Sequence, residues 1–393
     1  MSCCRKRLHT VAVLWLALLS PTGLVYATVT AEPLADFTST SGPRASAPNH
    51  FLRVGDIVFF TARGEVGEGD VWRTDGSAAG TFRVKDINPY WGARATFLGT
   101  LGDVLYFAAD DGEHGRELWR SDGTEAGTFL VKDINPGADD AFSDRWVSGA
   151  SLVFNDRLYF RAYDVTHGQE MWATDGTPDG TRLIKDINPH GDAFGALTVV
   201  DNKPRSGSLT RAAEVDTRLL PLVASGPVIY FAADDGEHGV ELWRSNGSAD
   251  GTRMVADLSS ATPQAGSTPL DLAAFGEALI FTADDGVHGR EPWITSAAGL
   301  TMLVDAMPGP ASSVGVDALG LPKTFGVLLD GTFIFFADVS YAAWPIGQKP
   351  SLWRTDGTIT GTRSIGADRL VVSDVYSNRL FRVGSDVYFL GAL

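Results

Sequence analysis

The chain has little cysteine and little positive charge. Among its 393 residues only Cys3 and Cys4 are cysteines, and both stand at the N-terminal end. The 32 Lys and Arg oppose 48 Asp and Glu, which gives a formal net charge of −16. Because such an acidic chain is repelled by a phosphate backbone, we expect no nucleic-acid partner. Loss of the N-terminal segment leaves no cysteine, which excludes disulfides and thiol catalysis from the mature chain.

Long hydrophobic runs are missing too, apart from one short run near the N-terminus. Basic residues 5–7 precede the apolar run 11–19, which is followed by Pro21 and by the exit residue Ala27. This order is typical of a secretory signal peptide, and the run is shorter than the roughly 20 residues that a membrane-spanning helix needs. The prediction is a signal peptide at 1–27 and a flexible lead-in at 28–50. We therefore expect a protein that is secreted or held at the cell surface, without a membrane span.

Motifs of the common enzyme classes are also absent. The chain has no His-Glu-x-x-His motif, no Gly-x-Ser-x-Gly turn, no phosphate-binding loop and no dinucleotide fingerprint. No segment shows helical periodicity. The sequence does not exclude a pair of carboxylates that catalyses glycoside hydrolysis. The chain has 48 acidic residues, and only the geometry of the folded protein selects a pair.

What the chain does have is a unit repeated six times. The repeat is marked by tryptophans spaced by 47, 53, 71, 50 and 60 residues: Trp72, Trp119, Trp172, Trp243, Trp293 and Trp353. Residues 105–134 and 230–258 are closely similar copies. The longest spacing contains an insertion, around residues 190–222, that is polar and turn-rich.

Each unit contains four short β-prone runs separated by Gly, Asp and Asn clusters. In the clearest copy these runs carry Leu98, Phe107, Trp119 and Val131. Four antiparallel strands in about 50 residues cannot bury both faces alone, whereas similar units placed side by side can. The sequence therefore predicts an all-β protein with one repeat domain at 51–393. We favour a β-propeller of six or seven four-stranded blades over an open solenoid.

The two ends of the repeat region match each other. Residues 51–60 and 380–389 are versions of the same half-unit, so the chain carries six units and half of a seventh. Propellers commonly close by pairing strands from their two termini, which removes exposed sheet edges. We predict such closure by the N- and C-terminal segments, with a composite seventh blade.

The string Glu-Leu-Trp-Arg-Ser-Asp-Gly-Thr at residues 117–124 resembles the signature of bacterial ELWxxDGT-repeat proteins, a group of secreted repeat proteins. Further copies stand at residues 170–177, 351–358, 241–248 and 70–77. The unit around Trp293 departs most, because it lacks the Asp-Gly pair. The resemblance covers residues 51–393 and implies a secreted bacterial repeat protein with a propeller fold. It implies no activity, substrate or catalytic residue.

The most regular residues have structural explanations. One large aromatic per unit at a strand position suits packing between sheets better than stacking on a sugar, which needs an exposed ring. In the Asp-Gly-Thr turn, Asp can bind backbone groups two residues on, Gly takes the positive φ and Thr caps the loop. Asn246 replaces Asp in one copy and can serve the same turn.

A second recurring loop, Asp-Asp-Gly-x-His-Gly, offers the hard oxygen ligands that Ca²⁺ prefers. Its candidate calcium ligands are Asp110, Asp111, Asp234, Asp235, Asp284 and Asp285. The alternative, which we favour, is a solvated hairpin loop, because no copy matches a known calcium motif. The loop histidine, such as His114, is predicted to tie the loop to the strand by bonding Glu117 or backbone. A zinc site is disfavoured, because one histidine per unit supplies too few ligands.

Two functions remain open, and we favour the first. Residues that recur in most units explain a scaffold or repeated binding sites better than one reaction centre. The first function is a non-catalytic, monomeric binding or adhesion module for a protein or glycan. The second is a hydrolase or lyase with its site in the non-repeating segments 190–222 or 339–350. In the segment 339–350, Tyr341 and Trp344 are either exposed ligand-binding aromatics or a hydrophobic cluster beneath the loop.

Overall fold

A computed structural model describes most of the repeat region and little of the N-terminal segment. The described residues are 14–20, 23–29, 46–63, 69–142, 151–201, 211–216, 221–259, 265–297, 299–310, 312–313, 326–338, 350–365, 380–383 and 386–388. All regular structure within them is β-strand, as predicted. Accordingly, these residues include no helix long and apolar enough to cross a membrane.

Six four-stranded antiparallel sheets, here called units 1 to 6, contain the six copies of the repeat. Unit 1 consists of Asn49–Val54, Ile57–Ala62, Asp70–Thr74 and Phe82–Arg83, and unit 2 of Thr96–Leu101, Val104–Asp110, Arg116–Ser121 and Phe129–Lys132. Unit 3 consists of Leu152–Phe154, Arg157–Asp164, Gly168–Thr174 and Arg182–Lys185, and unit 4 of Val223–Ser225, Val228–Asp234, Val240–Ser245 and Arg253–Ala256. Unit 5 consists of Leu270–Phe275, Ala278–Asp284, Arg290–Ser296 and Gly299–Met302, and unit 6 of Gly326–Leu329, Thr332–Asp338, Pro350–Thr355 and Arg363–Ser364. The predicted four strands per repeat are thus confirmed.

Three two-stranded hairpins accompany these sheets. The terminal hairpin, Phe381–Val383 with Asp386–Tyr388, is the predicted half-unit, and no described N-terminal strand pairs with it. The insertion contains Ala196–Asp201 paired with Arg211–Asp216, so it is less turn-rich than its polar sequence indicated. The third hairpin, Leu14–Ser20 with Gly23–Val29, overlaps the predicted signal peptide, which stays a prediction.

Consecutive units pack face to face. Phe59 and Val71 of unit 1 share one core with Phe107 and Trp119 of unit 2. The equivalent cores join units 2 and 3, 3 and 4, 4 and 5, and 5 and 6. The tryptophans of units 2 to 5 lie in the core shared with the preceding unit and are only 6–9% exposed. This burial confirms their predicted packing role, and burial on both faces explains why the middle strands are apolar almost throughout.

The first strands of neighbouring units contact each other from unit 1 to unit 5, and that of unit 6 contacts the terminal hairpin. The result is a propeller-like all-β fold in which each sheet extends outward from its first strand. Because the strands alternate in direction, the loops between second and third strands lie at the same end as the connectors between units. We call this the connector end and the opposite end, which holds the Asp-Gly-Thr turns, the turn end.

Candidate functional site

The Asp-Gly-Thr turns are held by bonds within each turn. In unit 2, Asp122 Oδ1 accepts hydrogen bonds from Thr124 N at 2.9 Å and from Thr124 Oγ1 at 2.7 Å. Gly123 has a φ of +88°. In unit 4, Asn246 Oδ1 accepts the same two bonds from Ser248. The predicted hydrogen bonding of the turn is therefore confirmed. The polar side chains of the turn hydrogen-bond within the turn itself.

The turns also connect units, which the sequence did not reveal. Lys85 Nζ of unit 1 donates to Thr128 O of unit 2 at 2.8 Å. Lys185 Nζ of unit 3 donates to Thr252 O of unit 4 at 2.9 Å. Thr128 follows the Asp-Gly-Thr turn of unit 2, and Thr252 follows the equivalent Asn-Gly-Ser turn of unit 4. A lysine in or just after the fourth strand therefore anchors the turn of the next unit in these two pairs.

The acidic loops lie at the connector end and are internally bonded. Asp110 Oδ1 accepts from Gly112 N at 2.7 Å, and Asp111 Oδ1 accepts from the backbone N–H groups of Glu113 and His114 at 2.9 Å. His114 Nδ1 lies 2.8 Å from Asp111 Oδ2. The loops of units 4 and 5 repeat these bonds. The prediction that the histidine bonds Glu117 or backbone was wrong, because its Nδ1 lies against the carboxylate of the aspartate three residues before it.

These bonds affect the acidity of both partners. Burial favours the neutral form of Asp111, but the N–H groups of its loop and His114 together hold the pKa of this carboxyl below its usual range. The bond to Asp111 raises the pKa of His114. The loop pair is therefore stabilised as an ion pair once the imidazole is protonated.

The candidate calcium ligands are divided among three units. Asp110 and Asp111 lie in unit 2, Asp234 and Asp235 in unit 4, and Asp284 and Asp285 in unit 5. Within the described part of the chain, no three His, Cys, Asp or Glu side chains are grouped so that they could hold a metal ion. Calcium binding at these loops stays the untested alternative to a solvated hairpin loop. Tyr341 and Trp344 lie outside the described residues, so their role stays a prediction as well.

A buried glutamate joins the third strand to the connector in four units. Glu117 Oε2 accepts a hydrogen bond from Ile134 N at 2.7 Å. The equivalent residues are Glu170, Glu241 and Glu291, and all four are fully buried. Burial raises the pKa of Glu117, Glu170 and Glu291 to about 8. Their repetition and complete burial indicate a structural role at the connector rather than a reaction centre.

Two neighbouring aromatic rings project from the connector between units 1 and 2. Tyr90 and Trp91 are 73% and 76% exposed. Asn88 is buried, and its Oδ1 accepts hydrogen bonds from Tyr90 N and Trp91 N, both at 3.2 Å. The turn thus holds the backbone of both residues while leaving their rings in solvent. The sequence signal was available, because three connectors share Asp-Ile-Asn-Pro but only this one continues with two aromatics.

A cavity of about 430 Å³ lies beside this connector, at the connector end of unit 1. Among the described residues, its polar and basic lining residues are Asn49, His50, Thr61, Arg63 and Arg94, and the others are alanine or glycine. Arg94 stands three residues after Trp91, and its guanidinium bonds Asp110 at 3.2 Å and Asp140 at 3.3 Å. These two carboxylates orient Arg94 without lining the cavity themselves.

Gly69 lines this cavity in unit 1. It stands three residues before Trp72, a position that Arg116 occupies in unit 2. The buried guanidinium of Arg116 fills that position by donating to Phe142 O at 3.1 Å and to Thr96 Oγ1 at 2.8 Å. Unit 1 has no side chain at this position, and its cavity lies within the size range of ligand pockets, about 300–1,000 Å³.

Comparisons with known proteins find distant structural similarity only. No protein-family model matches the chain. No curated protein matches it either. Among solved structures, it is similar to a mutant puromycin hydrolase complexed with PGG, at 14% identity and a TM-score of 0.39, covering 89% of this chain and 50% of that chain. It is also similar to TolB from Acinetobacter baumannii (10% identity, TM-score 0.30, 77% and 62% covered). A polysaccharide lyase is a third (10% identity, TM-score 0.35, 90% and 88% covered).

The chain spans about half the length of the puromycin hydrolase that it matches. All three similarities have low identity and TM-scores below 0.5, so we draw no conclusion about activity from them.

Proposed function

We propose that the repeat region closes as a seven-bladed β-propeller, with the terminal hairpin in its last blade. Leu380 and Val387 pack with Ile334 and Leu352 of unit 6, so this hairpin continues the stack of units. Trp72 of unit 1 has the register of the tryptophans that bury against a preceding unit in units 2 to 5. In a closed ring the unit preceding unit 1 is the half-unit at 380–389.

The function that we propose is a secreted, non-catalytic and monomeric binding module that recognises a glycan at the connector end. The observation that carries this proposal is the exposed pair Tyr90 and Trp91, held by Asn88 on one connector. Aromatic faces displayed on a rigid turn suit stacking on a sugar ring. The adjacent cavity supplies the polar groups that can orient a sugar's hydroxyls.

The alternative, a hydrolase or lyase, has less support from the described residues. A raised pKa, as in Glu117, is typical of a catalytic acid. Such an acid must reach its substrate, however, and Glu117 is fully buried. A single reaction centre also does not explain why four units carry the same glutamate.

The proposal is tested by measuring binding to a panel of immobilised glycans. Trp91→Ala is expected to weaken binding to the recognised glycan at least about tenfold, which corresponds to about 1.4 kcal/mol. Phe129→Ala, which removes a 40% exposed ring from the outer strand of unit 2, is the matched control and should leave binding unchanged. Equal binding by the Trp91→Ala variant would contradict the proposal. Release of new reducing ends from a bound glycan would favour the enzymatic alternative.

A further inference from the structure

The cavity of unit 1 corresponds residue by residue to a site in unit 5. Thr61 Oγ1 lies 3.0 Å from His50 Nδ1, and Thr282 Oγ1 donates to Asp271 Oδ2 at 2.9 Å. Both threonine hydroxyls also donate, at 3.4 Å, to the carbonyl one residue earlier in the first strand. His50 therefore occupies the position that Asp271 has in unit 5.

A second position also has a basic residue in unit 1 where other units have an acid. Arg63 stands two residues after Thr61, directly after the second strand of unit 1. In units 2, 4, 5 and 6 the equivalent residues, at the end of each second strand, are all aspartates: Asp110, Asp234, Asp284 and Asp338. Unit 1 is thus the one described unit with a cation at this position.

The third difference between units 5 and 1 is the residue at the start of the third strand. In unit 5, Arg290 is buried, and its Nη1 donates to Thr268 O at 2.7 Å. In unit 1 the equivalent residue is Gly69, which has no side chain to fill the space. Unit 5 therefore has acids around a buried guanidinium, whereas unit 1 has basic groups around a cavity. This reversal occurs in a chain whose net charge is −16.

We propose that this cavity binds the carboxylate of an acidic sugar, and that Tyr90 and Trp91 stack on the sugar ring. This inference rests on the proposed glycan-binding function and specifies its ligand class. A guanidinium matches a carboxylate in geometry and charge, so Arg63 recognises the anion. Arg94, oriented by its two aspartates, and His50 supply further donors. No Asp or Glu is present among the described residues that line the cavity.

The test is a comparison of three small ligands on the purified protein. We expect D-glucuronate to bind at least about tenfold more tightly than D-glucose, which lacks the carboxylate. Acetate, which lacks the sugar ring, should bind more weakly than D-glucuronate. Raising the salt concentration should weaken binding of D-glucuronate more than that of D-glucose, because salt screens the ion pair.

Three variants test whether the preference for D-glucuronate arises in this cavity. Arg63→Asp introduces the residue that unit 5 carries and should weaken D-glucuronate binding at least about tenfold, and more than it weakens D-glucose binding. Arg63→Gln removes the charge alone and serves if Arg63→Asp does not fold. Arg253→Asp makes the same charge change at an exposed residue of unit 4 and should leave both affinities unchanged.

The possible failures can be told apart. If both sugars bind equally, unaffected by Arg63→Asp, but Trp91→Ala weakens both, the acidic-sugar inference is wrong and the glycan-binding function stands. If acetate binds as tightly as D-glucuronate, the cavity is a general carboxylate site and the inference is again overturned. If D-glucuronate does not bind and the glycan panel shows no Trp91-dependent binding, both proposals fail.

Discussion

The hydroxyl of Tyr106 in unit 2 lies against Gly176 in the Asp-Gly-Thr turn of unit 3, where a Cβ would collide with it. Tyr159 and Gly247 repeat this relationship between units 3 and 4. Gly176 also has a φ of +93°. A glycine is therefore needed here for two reasons, the local turn conformation and the approach of the preceding unit. The motif specifies contact between units as well as a turn.

Gly176→Ala should destabilise the protein more than the same change in a turn without this contact. Gly76 is the matched control, because its φ is +92° but no atom lies within 4 Å of an added Cβ. Gly76→Ala should cost about 1 kcal/mol from backbone strain alone, and Gly176→Ala about 2–4 kcal/mol once overpacking adds about 1–3 kcal/mol. Chemical denaturation measures both values. Equal losses would show that the Tyr106 contact carries no cost.

Asp122 should tolerate asparagine better than alanine. Asp122→Asn keeps the Oδ1 that accepts both bonds from Thr124, as Asn246 does in unit 4. Asp122→Ala removes both bonds and should cost about 1 kcal/mol. The midpoint of thermal unfolding distinguishes the two variants. A loss as large for Asp122→Asn as for Asp122→Ala would contradict the assigned role of this oxygen.

Stability should fall as the pH rises from about 5 to about 9. Burial raises the pKa of Glu117 to about 8, well above its unfolded value near 4.5. Because the folded state holds the proton more tightly, this stabilisation is complete below the unfolded pKa and is lost as pH rises through the folded one. Glu170 and Glu291 should act in the same direction.

Glu117→Gln, which cannot ionise, should make the unfolding midpoint less dependent on pH over this range. The control is Glu113→Gln, which changes an exposed residue of the neighbouring loop. An unchanged slope in Glu117→Gln would mean that Glu117 is already ionised in the folded protein at pH 5.

Calcium should leave the midpoint of unfolding unchanged. Asp111 already accepts bonds from two backbone N–H groups and contacts His114, so a calcium ion would have to displace these partners. A ligand at 100 times its dissociation constant would add about 2.7 kcal/mol, a shift that is easily measured. A clear increase with calcium and its reversal by a chelator would instead establish the acidic loops as calcium sites.

The features that recur in every repeat were the ones that could be predicted from the sequence. Alternating apolar and turn residues around Phe107 and Trp119 predicted the strands and their burial, because a pattern repeated six times exceeds chance similarity. The partner of His114 was predicted wrongly, because spacing alone does not say whether Asp111 or Glu117 lies nearer in the folded loop. The exposed pair Tyr90 and Trp91 was missed because it occurs in one connector and not in the repeat.

The sequence by itself determined the order of strands, the turns and the number of complete units, because these depend on interactions within a few residues and on a repeated pattern. Only the tertiary structure decided where the chain departs functionally from its own repeat. Gly69, His50, Arg63 and Arg94 are ordinary loop and strand-end residues in the sequence. Their significance depends on a register that places His50 where unit 5 has Asp271, and on a buried arginine that unit 1 lacks. A cavity is formed by side chains that are distant in the chain, so its shape and charge follow from packing between units.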